Sequence, residues 1–229
     1  QQIQAVLNTP INDRLRARLA ISDHDREGYV ESLNPGGEDR NSADYTSIRT
    51  AVEYDLTDTV RVNVNGYYFN DEGDTTPRTT LDPAFSESDP FKSLMNSPVG
   101  SSDESKGISV DISWDLGSME FRSLSAYDET VKSDNADDDG GNTLRSETLI
   151  TAWTDTFTQE FQLVSTGESD LQWVVGAFYY TENQDAFINA LRGLTSPRFR
   201  IAVPIETENT SWAAFGQMDY ALTDRMTLV

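Results

Sequence analysis

Cysteine is absent from this chain of 229 residues, so the sequence can build neither a disulfide framework nor a thiolate metal site, and it offers no thiol nucleophile. Histidine is almost absent. The one histidine, His24, stands in SDHDRE at the start of a predicted long loop, without any His or Cys partner pattern. We interpret it as an exposed loop residue rather than a ligand or a catalytic base.

Positive charge is scarce, because 17 Lys and Arg stand against 39 Asp and Glu, and the formal net charge is −22. A nucleic-acid backbone is bound by clustered Lys and Arg, so this balance argues against a nucleic-acid partner. A cationic or divalent-metal environment suits the chain better.

Long apolar runs and catalytic motifs are also missing. No stretch approaches the roughly 18 consecutive apolar residues of a membrane helix, and QQIQAVLNTP lacks the regions of a signal peptide. No serine elbow or phosphate-cradling glycine loop occurs, and the acids are too numerous to single out a glycosidase pair. We expect no enzymatic activity. A β-barrel stays open, since alternating strands never produce a continuous apolar run.

What the sequence does contain is alternation of polarity with a period of two. In ADYTSIRTAVEYDL (43–56), Ile48, Val52 and Tyr54 fall on one side and Arg49 and Glu53 on the other. The period predicts a strand, and the turn that follows leads into the partner VRVNVNGYYFN (60–70). These two segments are predicted to form a hairpin.

The same unit recurs along the chain. SKGISVDISWD pairs with MEFRSLSAYDE, FTQEFQLVS pairs with LQWVVGAFYYTE, TSWAAFGQMDYAL turns at 223–224 into 225–229, and PINDRLRARLAIS supplies a first strand. About nine strands result, each near the ~10 residues that cross a bilayer at a tilt.

The connections alternate in length. Tight turns are predicted after Leu56, Asp115, Ser165 and Leu222, and long polar segments over 23–42, 71–104, 130–154 and 183–208. Loops that long count against a compact soluble sandwich. In an outer-membrane barrel they are expected, because one end has short periplasmic turns and the other long extracellular loops.

Aromatic residues cluster at both strand ends, mostly in phase with the apolar side, and predict two interfacial girdles. The predicted girdle residues are Tyr54, Trp114, Trp173 and Tyr220 near the tight turns and Tyr68, Tyr127, Tyr179 and Trp212 near the long loops. The alternative is ordinary core aromatics of a sandwich. Two residues break the pattern, because Gln159 lies in the apolar phase and Phe215 lies out of phase with Trp212.

Several ordered segments resemble the β-barrel of TonB-dependent outer-membrane receptors, the energised importers of Gram-negative bacteria. They are TPINDRLRARLAISDHDREGYV (9–30), SIRTAVEYDLTDTVRVNVNGYYF (47–69), TQEFQLVS (158–165) with LQWVVGAFYYTE, and TSWAAFGQMDYALTDRMTLV (210–229). The resemblance implies an all-β, antiparallel, up-and-down transmembrane barrel segment over residues 1–229.

The resemblance also implies a function and partners. A family barrel has 22 strands, so we expect this chain to be part of a larger polypeptide, without the family's plug domain and closing C-terminal strands. The implied function is import of a scarce nutrient, such as a siderophore, vitamin or carbohydrate, across the bacterial outer membrane. The implied partners are outer-membrane lipid, lipopolysaccharide, the small nutrient and, through the plug, the inner-membrane TonB complex.

If the barrel forms, the polar side of its strands lines the lumen. The predicted lumen-facing residues are Arg14, Arg16, Arg18, Arg49, Glu53, Arg61, Asp111, Glu120, Arg122, Glu160, Gln162 and Asp219. In a sandwich the same residues form the solvent face.

A weak calcium candidate is the only cofactor expectation. In SDNADDDGGN (133–142), Asn135, Asp137 and Asp139 match the opening ligand spacing of a calcium loop, but Ser146 stands where a bidentate Glu is expected. The alternative is a solvated acidic loop.

The competing functional class is a secreted, acidic β-sandwich that binds carbohydrate or calcium, or serves in adhesion. It predicts a soluble monomer without detergent. A β-rich hydrolase is a weaker alternative, because no ordered acid and base constellation is present.

Overall fold

Alternating polarity builds one long antiparallel sheet. The computed structural model describes residues 1–74, 78, 88–97, 100–143, 145–192, 199–223 and 226–228. Its strands are β1 (Gln2–Asn12), β2 (Leu15–Arg26), β3 (Glu31–Ser32), β4 (Ala43–Asp55), β5 (Val60–Asp71), β6 (Lys92–Ser93), β7 (Ser101–Asp115), β8 (Met119–Asp137), β9 (Ser146–Ser165), β10 (Leu171–Arg192), β11 (Phe199–Thr223) and β12 (Met226–Leu228).

The topology is a meander. Ten strands lie side by side in chain order, β1-β2-β4-β5-β7-β8-β9-β10-β11-β12, and β3 pairs with β6 in a separate two-stranded parallel ladder. Every pairing in the large sheet is antiparallel. The predicted all-β, up-and-down architecture is therefore confirmed. No described helix is long and apolar enough to cross a membrane.

The sequence prediction missed one strand, β1. The first predicted strand was PINDRLRARLAIS, which begins at Pro10, yet Pro10 lies within β1 opposite Arg16 and the next strand begins at Leu15. Since β1 pairs only with β2 among the described strands, the absent proline N–H removes no ladder bond that the sheet needs.

Two predicted loops are largely strand. β8 continues to Asp137 and β9 begins at Ser146, while β10 continues to Arg192 and β11 begins at Phe199. The predictions of loops over 130–154 and 183–208 were wrong because polarity stops alternating there while the backbone ladder continues. Of the last predicted turn and strand, Asp224, Arg225 and Val229 lie outside the described residues.

The register sorts side chains onto two faces, since directly opposed residues of an antiparallel pair share a face. Tyr54 lies opposite Val62, and Trp114 lies opposite both Val60 and Phe121. We call this side the apolar face. Arg16 lies opposite Glu53 on the other side, which we call the polar face.

The apolar face is not covered by another layer. The buried hydrophobic residues of the described chain are Val30, Met95 and Ala190, and all three lie away from the middle of the sheet. On the apolar face Trp114 is 48% exposed and Trp212 is 80% exposed. Contiguous exposed apolar surface is typical of a face that contacts another protein or a membrane.

Aromatic rings cover glycines on the polar face, and this explains the phase of Phe215. Phe215 lies directly opposite Gly176, where an added Cβ would stand 2.3 Å from the ring. Tyr67 lies directly opposite Gly107 in the same way, with its Cε1 2.5 Å from an added Cβ. Each ring therefore packs against the backbone of a glycine. Glycine weakens the interior of a strand, and the ring compensates for the missing side chain.

Replacing Gly176 by Ala should destabilise the sheet. The new Cβ would also stand 2.8 Å from the backbone oxygen of Phe161, which cannot move aside as a side chain can. We expect a loss of about 1–3 kcal/mol of unfolding free energy, as for overpacking elsewhere, measured by urea titration of the full-length protein folded in detergent or lipid.

The matched control is Gly216→Ala on the apolar face of the neighbouring strand. An added Cβ there meets nothing closer than 3.4 Å, so this variant should unfold like the wild type. Equal effects at the two glycines would contradict the ring-on-glycine account.

Candidate functional site

The register brings the predicted lumen residues onto one surface. The polar face carries Arg16, Arg18, Arg49, Glu53, Arg61, Asp111, Glu120, Arg122, Glu160, Gln162 and Asp219. Arg14 is the exception, because it lies in the turn between β1 and β2, where it forms an ion pair of 2.6 Å with Asp58. The polar face is the candidate site.

Near the tight turns the polar face is held by an ion cluster of four residues. Arg16 pairs with Glu53 and, at 2.8 Å, with Asp55, and Arg61 Nε lies 2.7 Å from Asp55. Asp55 thus accepts hydrogen bonds from both Arg61 and Arg16. The positive charges at this end are therefore neutralised locally.

Farther along the face the arginines differ from one another. Arg122 is bidentate to Glu120, at 2.9 and 3.1 Å, and Gln162 donates to Glu160. Arg18 and Arg49 are exposed and make no ion pair with any described residue. The sequence pattern did not distinguish the arginines that form ion pairs from those that do not, because ion pairing depends on residues of neighbouring strands.

The predicted girdle aromatics share the apolar face. The register places Tyr54, Tyr68, Trp114, Tyr127, Trp173, Tyr179, Trp212 and Tyr220 on it. Gln159 lies there too, but its Nε2 donates to Ser123 Oγ at 3.1 Å and to the carbonyl of Leu124 at 3.2 Å. The Gln159 amide thus finds its hydrogen-bond partners within the sheet, so this polar side chain is tolerated on the apolar face.

At the outer aromatic row the apolar face also carries charge, since Lys106 lies directly opposite Tyr68. Lys106 and Glu129 form an ion pair of 2.9 Å, and Tyr127 donates to Glu129 at 3.0 Å. Apolar residues continue farther out on the same face, where Val131 lies opposite Trp153. Sequence reasoning assigned Lys106 and Glu129 no role.

The connections at the end opposite the tight turns pack into a loop cap, built from segments 28–42, 71–74, 88–97, 137–143 and 145–146. Asp137 is fully buried and accepts four backbone N–H bonds, two from Asn96 and Ser97 and two from Asp139 and Gly140. Such bonds compensate the burial of a carboxylate. The cap therefore joins two connections that are far apart in sequence.

A buried arginine makes the second junction of the loop cap. Arg40 is 3% exposed, donates to the carbonyls of Met95 and Ser97, and lies 3.7 Å from Asp74. No sequence motif pointed to Arg40, because its burial arises from contacts with a distant segment.

The calcium candidate is not assembled as a metal site. The oxygens of Asp137 accept the four backbone hydrogen bonds given above. Asp139 accepts hydrogen bonds from the N–H groups of Gly141, Arg145 and Ser146. Among the residues that the structure describes, no three His, Asp or Glu side chains converge to hold a metal ion. Asn135 is at the end of β8, outside this turn.

His24 is a strand residue rather than the predicted loop residue. It lies in β2 directly opposite Tyr45, and the two rings stack with centroids 5.1 Å apart. The polar flanks of SDHDRE suggested a loop, but this ladder continues beyond the alternating region.

Removing the Asp55 carboxylate should weaken the ion cluster, because Arg16 and Arg61 both pair with it. Asp55→Asn should therefore lower the urea midpoint slightly at pH 7. The difference should disappear at strongly acidic pH, where carboxylates are protonated in the wild type as well.

High salt should reduce the same difference, because the cluster is partly exposed. The control is Asp58→Asn, since Asp58 is 88% exposed and its pair with Arg14 should contribute less. A difference that persists at low pH would contradict the electrostatic explanation.

Comparison with known proteins gives a likeness of fold. No family model matches the chain, and no curated protein matches its sequence. Among solved structures, the ferric yersiniabactin uptake receptor FyuA of Yersinia pestis is 11% identical, with a TM-score of 0.68 over 97% of this chain and 42% of its own.

Two further receptors show the same relationship. The siderophore receptor PiuA of Acinetobacter baumannii has a TM-score of 0.70 at 16% identity, over 97% of this chain and 38% of its own. The unliganded ferric citrate transporter FecA has a TM-score of 0.63 at 12% identity, over 97% and 39%.

The chain spans about two fifths of the length of these receptors, and the matched part is their sheet. The order of its strands, its two-faced register and this likeness agree with one another. The chain has the fold of the barrel portion of a TonB-dependent outer-membrane receptor.

Proposed function

We propose that this chain forms part of the wall of an outer-membrane receptor that imports a scarce nutrient with energy supplied through TonB. The observation that carries the proposal is the division of one continuous ten-stranded sheet into an apolar and a polar face. A lipid bilayer on one side and a wet lumen on the other account for both faces without a second layer.

The open edges support a larger assembly. In hydrocarbon each unpaired backbone group costs several kcal/mol, and β1 and most of β11 have one unpaired side among the described strands. We propose that further strands of a longer polypeptide close the barrel, and that its plug domain occupies the lumen and contacts TonB.

The two ends of the strands take different roles in this proposal. The tight turns with the Asp55 cluster face the periplasm, and the loop cap and the extended β8 to β11 hairpins project outward. The ion pair of Lys106 and Glu129 then lies at the outer membrane interface, level with Tyr68 of the outer aromatic row.

The ligand class we propose is an iron chelate. The support is the printed function of similar structures, which are receptors or transporters for ferric yersiniabactin, a siderophore and ferric citrate. The buried junctions at Asp137 and Arg40 would hold the outer loops in a defined shape before the ligand arrives, which lowers the entropy cost of capture.

Single cysteines should report the two faces directly, because the chain has no native cysteine. In intact outer membranes containing the full-length protein, Val62→Cys, Val175→Cys and Ala214→Cys should react with a lipid-soluble maleimide and resist an aqueous one. Asn63→Cys, Gln162→Cys and Gln172→Cys, on the polar face, should show the reverse preference.

Equal labelling of both sets by the aqueous reagent would reject the membrane wall. Recovery of the protein without membranes or detergent would favour the secreted module instead. Each position of one set has a position of the other set on the same strand or on a neighbouring strand. A difference in labelling between the two sets therefore cannot result from a difference in local folding.

Import should depend on the intact receptor and on an energised inner membrane. Deleting the gene should abolish growth on at least one member of a panel of ferric siderophores under iron limitation, and a plasmid copy should restore it. Uptake of that radiolabelled chelate should stop when the proton gradient is collapsed. Unchanged uptake of every chelate in the deletion strain would overturn the proposed ligand class.

A further inference from the structure

The polar face contains a cavity of about 510 Å³, which we call the arginine pocket. Its lining includes Arg18, Arg49, Ala51, Asn65, Tyr67 and Asp128. The volume falls within the usual range for small-molecule sites. The pocket lies on the wall well away from the loop cap, between the second and sixth strands of the large sheet.

Small residues create the space. Ala51 separates Arg18 from Asn65 in one row of opposed residues, and Ala126 lies in the same row on β8. Gly107 leaves room for the Asp128 carboxylate and the Tyr67 ring, which would stand 2.2 and 2.5 Å from an added Cβ. Small residues therefore form the floor of the pocket, and the two arginines line it.

The pocket has uncompensated positive charge at one side. Arg14, Arg16, Arg61 and Arg122 each have a carboxylate within 3.0 Å. Arg18 and Arg49 have none within ion-pair distance in the described part of the chain. In a protein of net charge −22, two such arginines in one pocket are unusual, and a guanidinium stays charged under all physiological conditions.

The remaining polar groups make the two sides of the pocket differ in charge. Arg49 lies opposite Tyr67 in the register, and Tyr67 donates to Asp128 at 2.7 Å. The acid thus lies beyond the tyrosine, at the side away from the arginines. Asn65 lies between the two sides, with its amide 3.4 Å from Ser109 Oγ. An anion would be attracted to the arginine side and repelled from the Asp128 side.

A second cavity of about 370 Å³ adjoins the first and shares Arg18 and Ala51 with it. It extends toward the tight turns along Arg16 and Glu53, where the ion cluster supplies carboxylates to the cations. Arg16 in this second cavity is therefore neutralised, whereas Arg18 and Arg49 in the arginine pocket are not.

We infer that the arginine pocket binds an oxyanion, a carboxylate or phosphate group carried by a small ligand, at the barrel wall. A guanidinium matches the geometry of such groups and forms charge-assisted hydrogen bonds with them, and this pocket is lined by two of them. The inference rests on the proposed function for its setting, because an anionic nutrient would meet this pocket on its way along the lumen.

The test is equilibrium dialysis of radiolabelled tricarballylate against the purified full-length receptor in detergent at low ionic strength. Tricarballylate carries three carboxylates and no metal-chelating hydroxyl, so iron does not enter the measurement. We expect saturable binding that weakens at least about tenfold in the variant Arg18→Gln with Arg49→Gln, and that inorganic phosphate displaces.

Two variants separate charge in the pocket from charge or folding in general. Ala51→Leu fills the floor and keeps both arginines, so it should also abolish binding. Arg122→Gln removes one positive charge from the same face, but from an arginine that Glu120 already pairs, and it should bind like the wild type. Binding to the unchanged protein should fall steeply with ionic strength, which needs no substitution.

The inference is overturned if the wild-type receptor shows no saturable binding, which includes the case in which a carboxylate of another segment of the polypeptide already occupies the arginines. It is also overturned if the double variant binds as well as Arg122→Gln. Neither of these binding results would change the import measured in cells. Conversely, loss of import with intact tricarballylate binding would overturn the proposed function and leave the arginine pocket as a binding site.

Discussion

The antiparallel ladder is the constraint on which the rest of this structure depends. Neighbouring strands of the large sheet satisfy one another's backbone groups, and opposed residues share a face. Where polarity alternates with a period of two, the sheet therefore has two chemically distinct surfaces. A shift of one residue between two strands would place Val62 among arginines and Glu53 among aromatics. The hydrophobic pattern thus fixes the register, and the register creates the polar face.

Exceptions to the pattern have local physical causes. Gln159 is tolerated on the apolar face because Ser123 and a neighbouring carbonyl satisfy its amide. Phe215 and Tyr67 belong to the polar face because each covers a glycine on the adjacent strand. Side chains that appear misplaced in one strand are explained by the strand beside it, which is the level at which a sheet is stabilised.

Charge is distributed over the molecule in three different ways. At the tight turns, arginines and carboxylates neutralise one another. In the loop cap, Asp137 is buried among backbone N–H donors and Arg40 among carbonyls, which stabilises connections that a simple loop would leave mobile. In the arginine pocket the positive charge of Arg18 and Arg49 is left available. A chain so acidic overall nevertheless offers a local site for an anion.

The sequence by itself determined the fold class, the tight turns after Leu56, Asp115 and Ser165, and the face of the residues in the alternating segments, because these follow from a local period of two and from turn residues. It did not determine β1, where Pro10 and mixed polarity hide the period, or the outer parts of β8 to β11, where polarity no longer alternates but hydrogen bonding continues. The tertiary structure decided which arginines form ion pairs, that Arg40 and Asp137 are buried, and how much space remains above Gly107 and Ala51. Each depends on which residues from distant segments lie opposite one another, and that information is set by strand order and register rather than by any single stretch of chain.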